Sequence, residues 1–206
     1  MQIDPATHSG AANYKLLTNL VVPRPIAWVT SLGATGIVNL APFSFFNAVG
    51  ANPLYLVISA GLNDAGGPKD TERNIRDRGE FVVNMVTEDL FDAMNLSAAD
   101  FPPDVGELKA ANLHEASSLR IGVPRVAEAQ CSMECELVRA EKLGANTLII
   151  GEVVMFHIAD HLLDERLHVR NFAPIGRLGS PSVYCRTTDR FDVPRLSFAQ
   201  WQKEQA

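Results

Sequence analysis

The stretch Pro23–Gly61, PRPIAWVTSLGATGIVNLAPFSFFNAVGANPLYLVISAG, decides how the rest of the chain is read. Ile26–Leu32 is apolar and β-prone and ends on Thr30, Ser31 and Leu32, which predicts a strand. Gly33-Ala34-Thr35-Gly36 is a tight turn, because its glycines supply the positive φ that such turns need. Ile37–Ala41 leads back as a second strand. Ser44–Gly50 reads as a bend dense in Phe, with Asn47 in its middle. Pro53–Ser59 is a nearly continuous apolar run, which suits a strand buried on both faces.

Within this apolar stretch, Thr30, Ser31, Asn39, Ser44 and Asn47 fall where a plain core would hold aliphatics. A buried polar group costs about 1–3 kcal/mol unless it is paired. Two readings stay open: a rim that hydrogen-bonds a ligand, or turn chemistry in which Ser and Asn satisfy nearby backbone. Arg24, held between two prolines, is either a solvated strand-end charge or a ligand contact.

Upstream, Ser9–Leu20 predicts a short helix capped by Ser9, with Tyr14, Leu17 and Leu20 as an apolar stripe that packs on the strands. Downstream, Gly61–Pro68 is a loop. Lys69–Arg76, KDTERNIR, then opens a helix capped by Asp70 or Thr71 and stopped by Gly79. Helix N-termini present unpaired N–H groups and a positive partial charge, so this one suits either a phosphate or a plain surface cap. Glu80–Val86 predicts a strand, and Thr87–Leu96 an amphipathic helix with Leu90, Phe91 and Met94 inward. Ser97–Pro124 looks irregular, apart from a helical piece near Glu107–Asn112, and is a candidate lobe overhanging a ligand.

Ala127–Val138 alternates: Ala129, Cys131, Met133, Cys135 and Leu137 on one face, Gln130, Ser132, Glu134 and Glu136 on the other. That predicts a half-exposed antiparallel strand, forming a large hairpin with Thr147–Ile158. Glu152, inside that second strand, is either a cross-strand partner or a site carboxylate. The tail after Thr187 carries Phe191, Phe198 and Trp201 among charges and is either frayed or packed on a partner.

The chain has 206 residues and reads as a single domain, 1–206, of ordinary globular composition. Its net charge is −6, and no basic run appears, which disfavours nucleic acid. The apolar runs are interrupted by Arg24 or Glu152, too early to span a bilayer with a helix. MQIDPATHSG does not read as a secretory leader. Three cysteines, Cys131, Cys135 and Cys185, give no disulfide framework, so a cytoplasmic protein with reduced thiols is expected. There is no G-x-G-x-x-G, no P-loop, no G-x-S-x-G and no H-E-x-x-H. His157 and His161 have helical ligand spacing, but they fall at a strand end where that spacing does not converge, so no metal site is expected. His168 is the histidine best placed to approach a site, through its nearness to Arg177.

RPIAWVTSLGATGIVNLAPFSFFNAVGANP, KDTERNI at Lys69–Ile75 and PIGRLGSPSVYCR at Pro174–Arg186 follow one another in an order that resembles the flavin-reductase-like family. The resemblance implies a mainly β (α+β) fold: an antiparallel six-stranded split β-barrel of Greek-key topology with a few peripheral helices. It implies non-covalent FMN in a homodimer, near the interface, with NAD(P)H as co-substrate and a partner monooxygenase or other electron acceptor. The alternative it leaves is an FMN-containing electron carrier without NAD(P)H turnover of its own. Residue by residue, it implies that Thr30 and Ser31 contact the isoalloxazine edge or ribityl chain. Ser44, Phe45, Phe46 and Asn47 would line the ring, while Lys69, Asp70 and Thr71 hold phosphate and ribityl hydroxyls. Asn39 joins that cofactor set, and Arg177 is a second cation near it. Ser180 stands where the family pattern leads us to expect a second glycine. No protein acid or base is required, since the cofactor carries the redox chemistry.

Overall fold

The computed structural model describes residues 1–102, 104–179 and 181–204; Ser180 lies outside them. In chain order the elements are α1 (Gly10–Leu20), β1 (Ala27–Leu32), β2 (Val38–Phe43), β3 (Phe46–Ala51), β4 (Leu54–Ala60), α2 (Asp70–Arg78) and β5 (Glu80–Met85). Then come α3 (Phe91–Leu96), α4 (Glu107–Ala110), β6 (Glu115–Ala116), β7 (Arg125–Val126), β8 (Cys131–Leu143), β9 (Asn146–Ile158), β10 (Gly176–Arg177), β11 (Tyr184–Cys185) and α5 (Phe198–Glu204). None of the described helices is long and apolar enough to cross a membrane.

Seven strands form one antiparallel sheet in the order β2-β1-β5-β8-β9-β4-β3. This is one strand more than the six expected. The Phe-rich bend is shorter than its composition suggests, because Phe46–Ala51 pairs with β4, Phe46 opposite Ile58. The edge strands β2 and β3 are consecutive in sequence and joined through Ser44 and Phe45 alone, which brings the two edges together and curls the sheet. The connection from β4 through α2 to β5 crosses from one half of the sheet to the other.

The concave face gathers Ala27, Val29, Phe43, Leu56, Ile58, Phe81, Val83, Cys135, Ile149 and Val153. Gly151 is required there, because a Cβ built on it would lie 2.4 Å from Phe81 Cζ. β4 buries Leu56, Ile58 and Ala60 but leaves the residues between them half-open, so it is one-sided rather than buried on both faces. On the convex side a second core forms from Trp28, Leu40, Val86, Leu90, Met94, Leu108 and Val126. The 86–129 lobe packs there, and Trp28 Nε1 donates to Ser97 Oγ at 2.8 Å.

Two expectations about faces are reversed. Ser132 and Glu134, predicted to face outward, are buried, because the 117–124 segment covers β8. Glu134 accepts from the N–H groups of Leu119 (2.7 Å), Arg120 (2.7 Å) and Ile121 (3.2 Å), and His157 Nε2 lies 2.5 Å from it. Burial alone raises the carboxyl pKa, but His157 and the Leu119 and Arg120 amides outweigh it and hold Glu134 below the usual range. Helix α1 is capped by Ser9 as expected, Ala12 N–H donating to Ser9 Oγ at 3.2 Å. Its Tyr14, Leu17 and Leu20, however, face out, with Leu20 76% exposed, and Thr18 is the residue buried.

Candidate functional site

Helix α2 is the element that makes the site. Its nine residues begin after Lys69 and stop at Gly79, whose φ of 75° closes the last turn through an N–H bond to Ile75 O. Ile75 plugs one end of the concave core. Glu72 anchors the helix to β9 by accepting from Thr147 Oγ1 at 2.9 Å. The N-cap is Lys69, ahead of the Asp70 or Thr71 expected, and no side chain caps the first turn. That turn therefore presents amides without a side-chain acceptor.

Against it lies a cleft of about 420 Å³. Asn39, Ala41, Pro42 and Phe43 form its β2 wall; Lys69, Asp70 and Thr71 form the helix wall; Ser97–Phe101 and Glu107 of the lobe form the roof. A second hollow of about 340 Å³ shares Asn39, Asp70, Arg73 and Glu107 and continues past the Gly33–Thr35 turn. Asn39 Nδ2 donates to Thr71 Oγ1 at 2.9 Å. Lys69 Nζ faces Asp100 Oδ1 at 3.7 Å, and Arg73 pairs with Asp70. Glu107, which sequence reasoning passed over, accepts from Leu40 N–H at 3.0 Å, and its carboxyl pKa is raised by burial, offset in part by that bond.

The residues singled out from sequence divide into three groups. Asn39, Lys69, Asp70 and Thr71 share this cleft. Ser44, Phe45, Phe46 and Asn47 line a separate cavity between α1 and the β2–β3 junction. Thr30 and Ser31 line neither: both are 0% exposed, Thr30 Oγ1 lying 3.4 Å from Asn84 Nδ2 and Ser31 Oγ accepting from Asn74 Nδ2 at 3.2 Å. Their polarity is absorbed by structural partners, so neither is a rim residue of these cavities. Arg177 also lines neither; it sits over the Tyr184 ring and donates to Tyr184 Oη and Pro181 O. His168 bonds to Asp164 away from both cavities. His157 is committed to Glu134, and among the described residues no cluster suits a metal ion.

A family model described as "Flavin reductase like domain" matches residues 19–189. The chain belongs to the flavin-reductase-like family. Among solved structures, nitrilotriacetate monooxygenase component B from Bacillus cereus is 40% identical, with a TM-score of 0.90 over 94% of this chain and 98% of that one. The 2-nitrobenzoate 2-nitroreductase NbaA of Pseudomonas fluorescens is 38% identical, with a TM-score of 0.88 over 96% and 98%. An FMN-binding protein from Thermus thermophilus, at 18% identity and a TM-score of 0.76 over 94% and 100%, shares the fold. The fold of this flavin-reductase-like chain thus matches the class its sequence implied.

Proposed function

We propose that this chain is an FMN-dependent oxidoreductase that takes reducing equivalents from NAD(P)H and passes them on as reduced flavin or to a partner. The observation that carries the reading is the uncapped first turn of α2, opening with Lys69 and Thr71 onto a cleft of about 420 Å³ in a flavin-reductase-like chain. The donor set fits a flavin phosphate: amides of the first turn, the Thr71 hydroxyl and the Lys69 ammonium. Asn39 orients Thr71, and the Ala41–Phe43 wall offers apolar surface for a ring system. Asp100 competes with an incoming phosphate for Lys69, so binding requires the 97–101 roof to yield that contact. When bound, FMN would supply two-electron redox chemistry; the residues of the cleft bind, orient and shield it.

The Bacillus cereus relative bears the name of a monooxygenase component, which supports a partner oxygenase as the destination of the electrons. The name of the Pseudomonas fluorescens relative supports a second reading, direct reduction of a small organic acceptor. A homodimer is supported by the outward Tyr14, Leu17 and Leu20 stripe and by Phe191 and Phe198, 90% and 70% exposed.

The test is the spectrum of the purified protein titrated with FMN, followed by steady-state oxidation of NADH and of NADPH. Saturable flavin binding with turnover supports the enzyme. Binding without turnover leaves an electron carrier. Absence of binding at high FMN concentration ends both.

A further inference from the structure

The second hollow, of about 340 Å³, continues from the α2 side of the cleft past the Gly33–Thr35 turn. Asn39, Asp70, Arg73 and Glu107 belong to both spaces, so a ligand that outgrows the cleft runs into the hollow. Among the described residues its lining holds four carboxylates, Asp70, Asp77, Asp104 and Glu107, against one cation, Arg73. Arg73 is already committed: it pairs with Asp70 and donates from Nη1 to Pro68 O at 2.9 Å. Asp77, Asp104 and Glu107 have no ion pair among the described residues.

The amide donors of the lining are committed as well. Asn39 Nδ2 is turned to Thr71 Oγ1, and Asn74 Nδ2 donates to Ser31 Oγ at 3.2 Å. Gly33 N–H closes the turn on Ile37 O at 2.9 Å. Glu107 is the most buried of the four carboxylates, 8% exposed, and no side chain among the described residues bonds to it. Burial raises its pKa, so a further anion beside it meets a carboxylate already short of solvation. The hollow therefore presents acceptors and negative charge, the reverse of the ammonium, hydroxyl and open amides at the start of α2.

We propose that this hollow makes the cofactor site selective for flavin mononucleotide over flavin adenine dinucleotide, with Glu107, Asp77 and Asp104 rejecting the second phosphate. The inference rests on the flavin reading and adds the residues that end the site at one phosphate. A terminal phosphate carries about −1.5 to −2 charge near neutral pH, all of it presented to Lys69, Thr71 and the first-turn amides. In a dinucleotide each phosphate carries about one charge. The α2 end then loses part of its attraction. The second charge and the adenosine enter a space with acidic walls, whose guanidinium and side-chain amide donors are engaged elsewhere. Asp77 and Asp104 are exposed, so salt screens their share of the repulsion; Glu107 is buried and its share persists.

Calorimetric titration of the full chain with FMN and with FAD tests the idea. At about 50 mM salt, where exposed charges are weakly screened, FMN is expected to bind at least about tenfold tighter than FAD. Asp77→Asn combined with Asp104→Asn should narrow that ratio to about threefold, by improving FAD more than FMN. Glu107→Gln, which keeps an acceptor for Leu40 N–H, should narrow it as well, and at about 500 mM salt it should retain most of that effect. If the Glu107 variant fails to fold, the paired surface change carries the test by itself, since both aspartates are exposed. Lys69→Ala should narrow the ratio from the other side, by weakening FMN more than FAD. FAD binding within about twofold of FMN in the parent, or a ratio untouched by the paired surface change, would overturn the proposal and leave the flavin reading in place. Binding of neither flavin would overturn both.

Discussion

Asn39 Nδ2 donates to Thr71 Oγ1 at 2.9 Å, joining the edge strand β2 to the first turn of α2. The bond fixes the hydroxyl that faces the cleft. Asn39→Ala frees that hydroxyl to rotate and opens the junction. FMN affinity, read by flavin fluorescence quenching, is expected to fall about five- to tenfold with little change in melting temperature. A matching loss of fold stability would mark Asn39 as a purely structural tie.

Lys69 and Asp100 give a pair of opposite predictions. Lys69→Ala should weaken FMN by about 1.5–3 kcal/mol, roughly ten- to hundredfold. Asp100→Asn removes the carboxylate that faces Lys69 at 3.7 Å and should tighten FMN binding. If titration shows both variants unchanged, the phosphate is held elsewhere.

Glu107 makes the cleft's electrostatics depend on pH. Its pKa is raised in the folded protein, chiefly by burial. Folding therefore disfavours its charged form, and the parent loses stability as pH rises from the ordinary glutamate value through the raised one. Glu107→Gln keeps an acceptor for Leu40 N–H and drops the charge. It should melt with the parent in acid and later than the parent near neutrality, and it should bind FMN more tightly there. Identical melting across the range would mean the carboxylate is solvated.

Glu134 has the opposite sign. Its depressed pKa means the ionised form is favoured by folding. The stabilisation is present above the ordinary glutamate value and is lost as pH falls through the depressed one. Glu134→Gln should cost about 1.5–3 kcal/mol and speed hydrogen exchange at Leu119, Arg120 and Ile121, the amides it holds. Unaltered exchange at those three amides would refute the clasp.

Truncation after Arg190 removes Phe191, Phe198 and Trp201, whose rings are exposed, Phe198 and Trp201 stacked at 5.6 Å. If that tail embraces a second copy, sedimentation should show a weaker dimer while far-UV dichroism stays nearly constant. An equally tight dimer assigns the tail no such role.

Much of this was legible locally. The Gly33–Gly36 turn, the α2 stop at Gly79, the Ser9 cap and the β8–β9 hairpin are written in short-range chemistry, and all form. The helix start at Lys69–Thr71 was legible because a helix start is a local signal, while its assignment to a phosphate came from the family resemblance. What escaped is what depends on distant partners. Thr30 looks like a rim residue until Asn84, 54 positions away, is seen beside it. Arg24 looks like a solvated end until carbonyls from α1 and residue 178 surround it. Glu107 and Glu134 sit in segments whose burial depends on which strand each segment covers. The faces of α1 were reversed because an apolar stripe shows that something covers it, not whether that cover lies within the same chain.

Gly151 leaves room on the inner face for the Phe81 ring. The cleft beside α2 borders that packed interior through Ala41 and Phe43, so a ligand there meets the margin of the core. Exchanging inner residues remote from that margin, such as Val83 or Ile149, should then move the melting point more than the affinity for a ligand. Selectivity is open to redesign at the cleft-facing residues 98–101 and in the trailing segment, while Ser97, Leu108 and the 119–121 amides stay fixed because Trp28, the convex core and Glu134 depend on them.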